Sequence, residues 1–194
     1  MLGRVYWRVY QQAVEGVTVP STRADLMQRL IDLGIHTATV EHAAVFTVAE
    51  SAALERDLPG GHTKNLFLKD AKGRLFLVVA EAVTPIDLKN LHKLLGCQRF
   101  SFGKPDLLME VLGVTPGSVT AFAVMNDLDS RVTVVVDAAL LRYDVVNCHP
   151  LINTATTAIP MLDLMRFFRA TGHEPLVLQL DGQIDGQMDS QASG

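Results

Sequence analysis

Cysteine is scarce in this 194-residue chain, which holds only Cys97 and Cys148. Two such residues make neither a disulfide framework nor a Cys-x-x-Cys pair, so a reducing, cytoplasmic setting is expected. Long apolar runs are missing too: none approaches the about 18 residues of a membrane helix, and no membrane contact is expected. The opening Met1-Leu2-Gly3-Arg4-Val5-Tyr6-Trp7-Arg8 lacks the unbroken apolar stretch of a secretory signal. Positive charge is in deficit, at a formal −4. That argues against broad coating of nucleic acid, and no DNA partner is expected. Familiar catalytic signatures are absent as well. There is no Gly-x-Ser-x-Gly elbow, Walker loop, His-Glu-x-x-His, zinc-spaced Cys/His set or dinucleotide fingerprint. An enzyme of this sequence is therefore expected to use no cofactor and no metal.

What is present suits one domain. Nearly half the residues are apolar, enough for a sizeable core, and no internal repeat or low-complexity linker divides the chain. Residues 1–20 read as an N-terminal extension, 21–180 as the domain, and 181–194, rich in Gly, Gln, Ser and Asp, as a disordered tail. The charge is uneven. Residues 64–104 carry eight Lys or Arg against three acids, a local +5. A basic face on an acidic body fits one small anionic partner such as an RNA end, and equally fits a solvated surface.

Local pattern supplies the elements. A helix opens at Ser21 or Thr22, carries Leu26, Leu30, Ile31 and Leu33 on one face, and stops at Gly34. Thr37–Val40 reads as a strand and 47–56 as a helix. Leu66–Lys69 and Leu75–Ala80 flank Asp70-Ala71-Lys72-Gly73 as a hairpin, the second strand apolar enough to be buried on both faces. Thr84-Pro85 is expected to start one helix and Pro105 another, the latter ending at Gly113. Strands are expected at Val119–Val124, Val132–Val136 and Asp144–Cys148, a helix at 160–171 and a strand at Leu176–Leu180. The irregular alternation points to a single α/β (α+β) domain, a mixed β-sheet flanked by helices.

Chemistry could sit in four places. Pro59-Gly60-Gly61-His62-Thr63 leads into Lys64 and Asn65, where a lysine could hold a phosphate or oxyanion. Gly113-Val114-Thr115-Pro116-Gly117-Ser118 could present backbone N–H groups. Asn147-Cys148-His149-Pro150 closes a strand. Successive strand side chains point to opposite faces, so Cys148 and His149 cannot form a nucleophile–base pair. Asn153-Thr154-Ala155-Thr156 offers an amide and hydroxyls. Each segment also has an ordinary reading as a turn, a helix stop or a core position.

Their order is more telling than any one of them. Gly-Gly-x-x-Lys-Asn-Leu-Phe-Leu, then Gly-x-x-Pro-Gly-Ser-Val, then His-Pro-Leu-x-Asn-x-x-Thr resembles the YbaK-like prolyl-tRNA editing domains, over roughly residues 21–180. The pattern is most similar to the stand-alone alanyl-tRNA(Pro) deacylases. A sister branch acting on cysteinyl-tRNA(Pro) carries a Ser-Ala-Gly-type segment where this chain has His149-Pro150-Leu151. The resemblance implies a mixed sheet flanked by helices and hydrolysis of the ester between an amino acid and tRNA. It implies that Lys64 holds the 3′-terminal phosphate and that Asn65 and His149 hold substrate or water. Gly113, Pro116, Gly117 and Ser118 would lie beside the aminoacyl group, with Asn153 also on the substrate. The implied partners are the tRNA(Pro) acceptor end carrying alanine and prolyl-tRNA synthetase. A regular strand would point Lys64 and Asn65 apart, so their joint use requires an irregular chain there. The rival readings are a cysteinyl-tRNA(Pro) deacylase and a non-catalytic tRNA-end or synthetase-binding protein.

Overall fold

A computed structural model of the chain describes residues 19–44 and 58–181. The expected helix at 47–56, most of the N-terminal extension and nearly all of the tail lie outside the described residues.

Helix α1, Arg23–Asp32, starts because Thr22 and Asp25 close a capping box, each side chain reaching the other's backbone. Leu26 and Leu30 are buried, whereas Ile31 is 67 % exposed. Leu33 and Met27 also pack against the core, so Ile31 alone of the expected stripe turns to solvent. Strand β1 is Ala38–Glu41. The hairpin forms around Asp70 to Gly73, but its first strand is longer than expected: β2 spans Gly61–Asp70 and β3 Leu75–Glu81. Asp70 locks the turn, accepting from the N–H groups of Lys72, Arg74 and Gln98 and from the Arg74 guanidinium. Burial works against its charge, yet these donors hold the carboxyl at about 2.

Helix α2 is Leu88–Leu94, capped by Asp87 and not by Thr84. Thr84 is buried, with its N–H on the Glu81 carbonyl, so residues 81–84 form a turn and the helix begins later. Strand β4, Phe100–Phe102, precedes α3, Pro105–Leu112, which ends as expected at Gly113 with φ 64°. The expected strand at Val119–Val124 does not form. Ala121–Asn126 is a 3₁₀ helix whose first N–H groups are capped by Thr120. A six-residue apolar run carries no period that separates a strand from a buried helical turn. The chain continues as β5, Val132–Asp137, a second 3₁₀ turn, Ala138–Arg142, β6, Val145–Cys148, and β7, Ala155–Pro160. It closes with α4, Met161–Ala170, and β8, Leu176–Leu178.

The strands make one mixed sheet in the order β1-β7-β6-β2-β3-β5-β8, with β4 alongside the end of β2. Pairs β2–β6, β3–β5 and β5–β8 are parallel, and the others antiparallel. One face carries the main core, where Leu77, Val79, Val134, Val136, Val146 and Cys148 meet α1, α3 and α4. Phe122 and Phe167 meet there edge to face at 5.3 Å. The other face carries a smaller cluster of Leu68, Phe76, Val78, Ala80 and Val135 under α2 and Leu180. Strand β3 is thus buried on both sides, as its unbroken apolar run implies. No described helix is long and apolar enough to cross a membrane.

Candidate active site

The two parallel strands β2 and β6 align Gly61 with Val146 and His62 with Asn147. Gly60 makes this possible: at φ 108°, a Cβ would stand 2.6 Å from the Val145 carbonyl oxygen. Continuing the register brings Thr63 level with Cys148, as its 3.6 Å Oγ1–Sγ contact shows, and Lys64 level with His149. Thr63 and Cys148 face the main core. By alternation Lys64 and His149 face the opposite side.

Strand β2 stays regular here, pairing with β3 at every residue from Thr63 to Lys69. Lys64 and Asn65 therefore do point apart. Asn65 shares the main-core side with Phe67, and its Oδ1 is buried with no hydrogen-bond partner among the described residues. The structure thus brings Lys64 and His149 onto one face and leaves Asn65 on the other.

Lys64 is half-buried, and its Nζ donates to the carbonyls of Ala82 at 3.0 Å and Thr84. Burial pulls its pKa below the usual lysine value, while the nearby carboxylates of Asp137 and Glu81 oppose that pull. An ammonium has three N–H donors, so two are committed to the protein and one is left over.

His149 is fixed more tightly. Its Nδ1 lies 3.1 Å from the Ala155 carbonyl. A carbonyl only accepts, so the neutral ring carries hydrogen on Nδ1 and a lone pair on Nε2. Burial pushes its pKa below the ordinary histidine range, so the ring is neutral near pH 7. The turn behind it is strained: Leu151 is buried in the core with φ 66°, a conformation that L side chains rarely adopt. Cys148, one residue away, faces inward, and burial raises its thiol to about 12. It is a core side chain and not a nucleophile.

The loop after α3 reaches His149 through Thr120, whose Oγ1 donates to the His149 carbonyl at 2.6 Å. Gly113 is fixed by its left-handed φ of 64° and by packing, since a Cβ would meet Pro20 at 2.7 Å and Asn126 at 2.8 Å. Pro116 and Gly117 are exposed, and nothing lies within 4 Å of a Cβ built at Gly117. Ser118 is buried, its N–H bonded to the Thr115 carbonyl. Asn153 lies half-buried in the turn before β7.

Sequence reading missed His42. It follows β1, its Nε2 is 3.0 Å from Thr156 Oγ1, and its ring centroid is 6.3 Å from that of His149. Only the β1–β7 pairing brings these two histidines together, and no motif announces it. A cleft of about 440 Å³ lies along the same strands, lined by Val40, Pro59, Asn147, Thr156 and Ala158 among others, and touches the histidine pair only through Thr156, the partner of His42. Among the described residues no three His, Cys, Asp or Glu side chains stand as a metal-ligand group.

A strand lysine with a spare donor and a neutral histidine with a free lone pair share one face of the mixed sheet and give it a polar site. The model of the aminoacyl-tRNA editing domain family matches residues 42–167, and the chain belongs to that family. It is 40 % identical over 161 residues to prolyl-tRNA synthetase associated domain-containing protein 1 of Danio rerio, covering 82 % of this chain and 88 % of that one. It is 36 % identical over 156 residues to the prolyl-tRNA editing protein ProX of Acetoanaerobium sticklandii, covering 80 % and 95 %. A solved structure, a candidate trans-editing enzyme for prolyl tRNA synthetase, shares the fold with a TM-score of 0.63 at 22 % identity. That match covers 82 % of this chain and 97 % of the other.

Proposed function

We propose that the chain is a trans-acting deacylase that hydrolyses the ester of alanyl-tRNA(Pro) and spares prolyl-tRNA(Pro). The observation that carries this reading is the placement of Lys64 and a neutral, tautomer-fixed His149 on one face of the sheet. The likeness to a prolyl-tRNA editing protein suggests the substrate class, and the His149-Pro150-Leu151 segment supports the alanine branch.

The chemistry asks little. An aminoacyl ester is already activated, so placing a water and stabilising the oxyanion suffices without a covalent nucleophile. The spare Lys64 N–H holds the phosphate of the terminal nucleotide. His149 Nε2 accepts a proton from the attacking water and returns it to the ribose oxygen as the tetrahedral intermediate collapses, giving free alanine and tRNA with a neutral histidine. Asn153 holds substrate from the turn before β7, and Pro116 and Gly117 border the aminoacyl group, while Asn65, on the opposite face of a regular strand, takes no part. The cleft beside His42 is large enough for the terminal nucleoside. Neither a metal nor a cofactor takes part in this scheme, and prolyl-tRNA synthetase is the natural supplier of the substrate.

The need for such an activity follows from binding arithmetic. A synthetase pocket built for proline cannot strongly reject the smaller alanine, since each missing methylene costs about 1–3 kcal/mol. A second site too small for the proline ring destroys the mischarged product and leaves the correct one intact.

Purified protein incubated with alanyl-, cysteinyl- and prolyl-tRNA(Pro) tests the reading. Alanine release well above the spontaneous rate, with proline retained, is expected. Faster release of cysteine would move the chain to the sister branch, and no release from any substrate would leave a binding protein.

A further inference from the structure

We propose that Asp137 is a positioning residue for Lys64, holding its ammonium in place from two strands away; this rests on Lys64 acting as the substrate-anchoring cation. The argument starts from register. Lys64 stands opposite Ala80 across β2 and β3. Val79 stands opposite Val136 across β3 and β5, so one step further Ala80 stands beside Asp137. The three residues form a row across the sheet. Ala80 and Val135 belong to the smaller cluster, and alternation from Val135 puts Asp137 on that same face with Lys64.

Neighbouring strands lie about 4.8 Å apart, so the Lys64 and Asp137 backbones are about 10 Å apart. Lys64 and Asp137 make no direct ion pair, and the carboxylate acts on the ammonium through space, over a residue between them that must be small. Ala80, fully buried, is that residue. The ammonium ends on the carbonyls of Ala82 and Thr84, immediately beyond the row.

Charge pairing distinguishes the two carboxylates here. Glu81 is met directly by the Arg142 guanidinium and by the Tyr143 hydroxyl at 2.6 Å. Asp137 is wholly buried, and among the described residues its oxygens accept only from the main-chain N–H groups of Glu81 at 3.3 Å and Ala139 at 3.1 Å. A buried carboxylate is costly without a counter-charge, and the row gives it Lys64. The groups around the ammonium are therefore Asp137 from β5, Glu81 from β3, Arg142 and Tyr143 behind Glu81, and His62 on the same face of β2. Of these, Asp137 opposes the effect of burial on Lys64 most strongly, ahead of Glu81.

The experiment compares Asp137→Asn with Glu81→Gln. Lys64 is titrated by NMR in carbon-13 lysine-labelled protein, and kcat/KM for alanyl-tRNA(Pro) is followed against pH. Lys64 should titrate at lower pH in Asp137→Asn, and the alkaline limb of kcat/KM should move with it. An about tenfold loss at about pH 9 is expected, at the low end of what an adjacent opposite charge can do. Glu81→Gln should shift both less, and Asp137→Glu should restore them. Ala80→Val, which keeps both charges but obstructs the span, should lower the Lys64 titration too, and it guards against an Asn variant that fails to fold. A Lys64 titration unchanged in Asp137→Asn, with only the thermal midpoint lowered, would overturn the proposal. The NMR titration is decisive even if no tRNA is deacylated, so the two readings fail separately.

Discussion

Strand β5 has a buried aspartate network at each end, and the two are built differently. At its entry, Asp127 accepts from the Val132 N–H at 2.7 Å and lies 3.1 Å from His173 Nε2, while His173 Nδ1 lies 3.2 Å from Thr171 Oγ1. Asp127 and His173 are each 3 % exposed, so the network closes on itself. At its exit, Asp137 and Glu81 face Lys64 and Arg142, the lysine with a donor to spare and the arginine open to solvent. A closed network fastens the fold. An open one has something left to offer a ligand.

The largest expected effect breaks the closed end. Asp127→Ala strands the Val132 N–H and His173 Nε2 in the core, at a cost of about 3 kcal/mol. At about 2–4 °C per kcal/mol for a chain of this size, the thermal midpoint should fall by about 6–12 °C, while deacylation per folded molecule stays near the parent value. An unchanged midpoint would show that the network contributes nothing.

Breaking the open end should reverse that pattern. Lys64→Ala removes about 2–4 kcal/mol of transition-state stabilisation, on the order of 30- to 1000-fold in rate, with the midpoint almost unmoved. Lys69→Ala is the control, on an exposed residue of the same strand, and should lose little. Parent-like deacylation by Lys64→Ala would end the anchor role.

His149 sharpens the comparison through pH. Its pKa is lowered in the folded state, so folding favours the neutral ring. Above the ordinary value of 6.5 both states are neutral and the group has no effect on stability. As pH falls from there through the folded pKa, the unfolded chain takes up the proton first and stability drops. His149→Gln should flatten that part of the stability–pH curve in urea titrations and remove the acid limb of deacylation. An acid limb that survives the substitution would assign it to another group.

The smallest effect is expected at Cys148. With the thiol buried and un-ionised, Cys148→Ser should cost about 1–2 kcal/mol of stability and leave the rate per folded molecule intact. Loss of activity without loss of folding would restore a nucleophilic role.

Much of this molecule could be read from local pattern. The capping residue Thr22, the stop at Gly113, the hairpin around Asp70 to Gly73 and the doubly buried run Leu75–Ala80 each depend on a few adjacent residues. So does the separation of Cys148 from His149, since alternation along a strand is a property of the backbone. The order of the Gly-Gly-x-x-Lys-Asn, Gly-x-x-Pro-Gly-Ser and His-Pro-Leu-x-Asn segments was enough to indicate the family.

Tertiary structure decided the rest. Val119–Val124 offers an apolar run compatible with strand or helix, and burial beside Phe167 with a cap from Thr120 selected a 3₁₀ turn. Thr84 looks like a helix cap until the 81–84 turn buries it and its carbonyl accepts from Lys64. His42 meets His149, and Asp137 comes into one row with Lys64, only through the register of strands far apart in sequence. Local sequence thus determined caps, turns, alternation and family, because those forces act within a turn or a strand. Register across the sheet was settled by which side chains could share one core, and it chose the partners of Lys64 and His149.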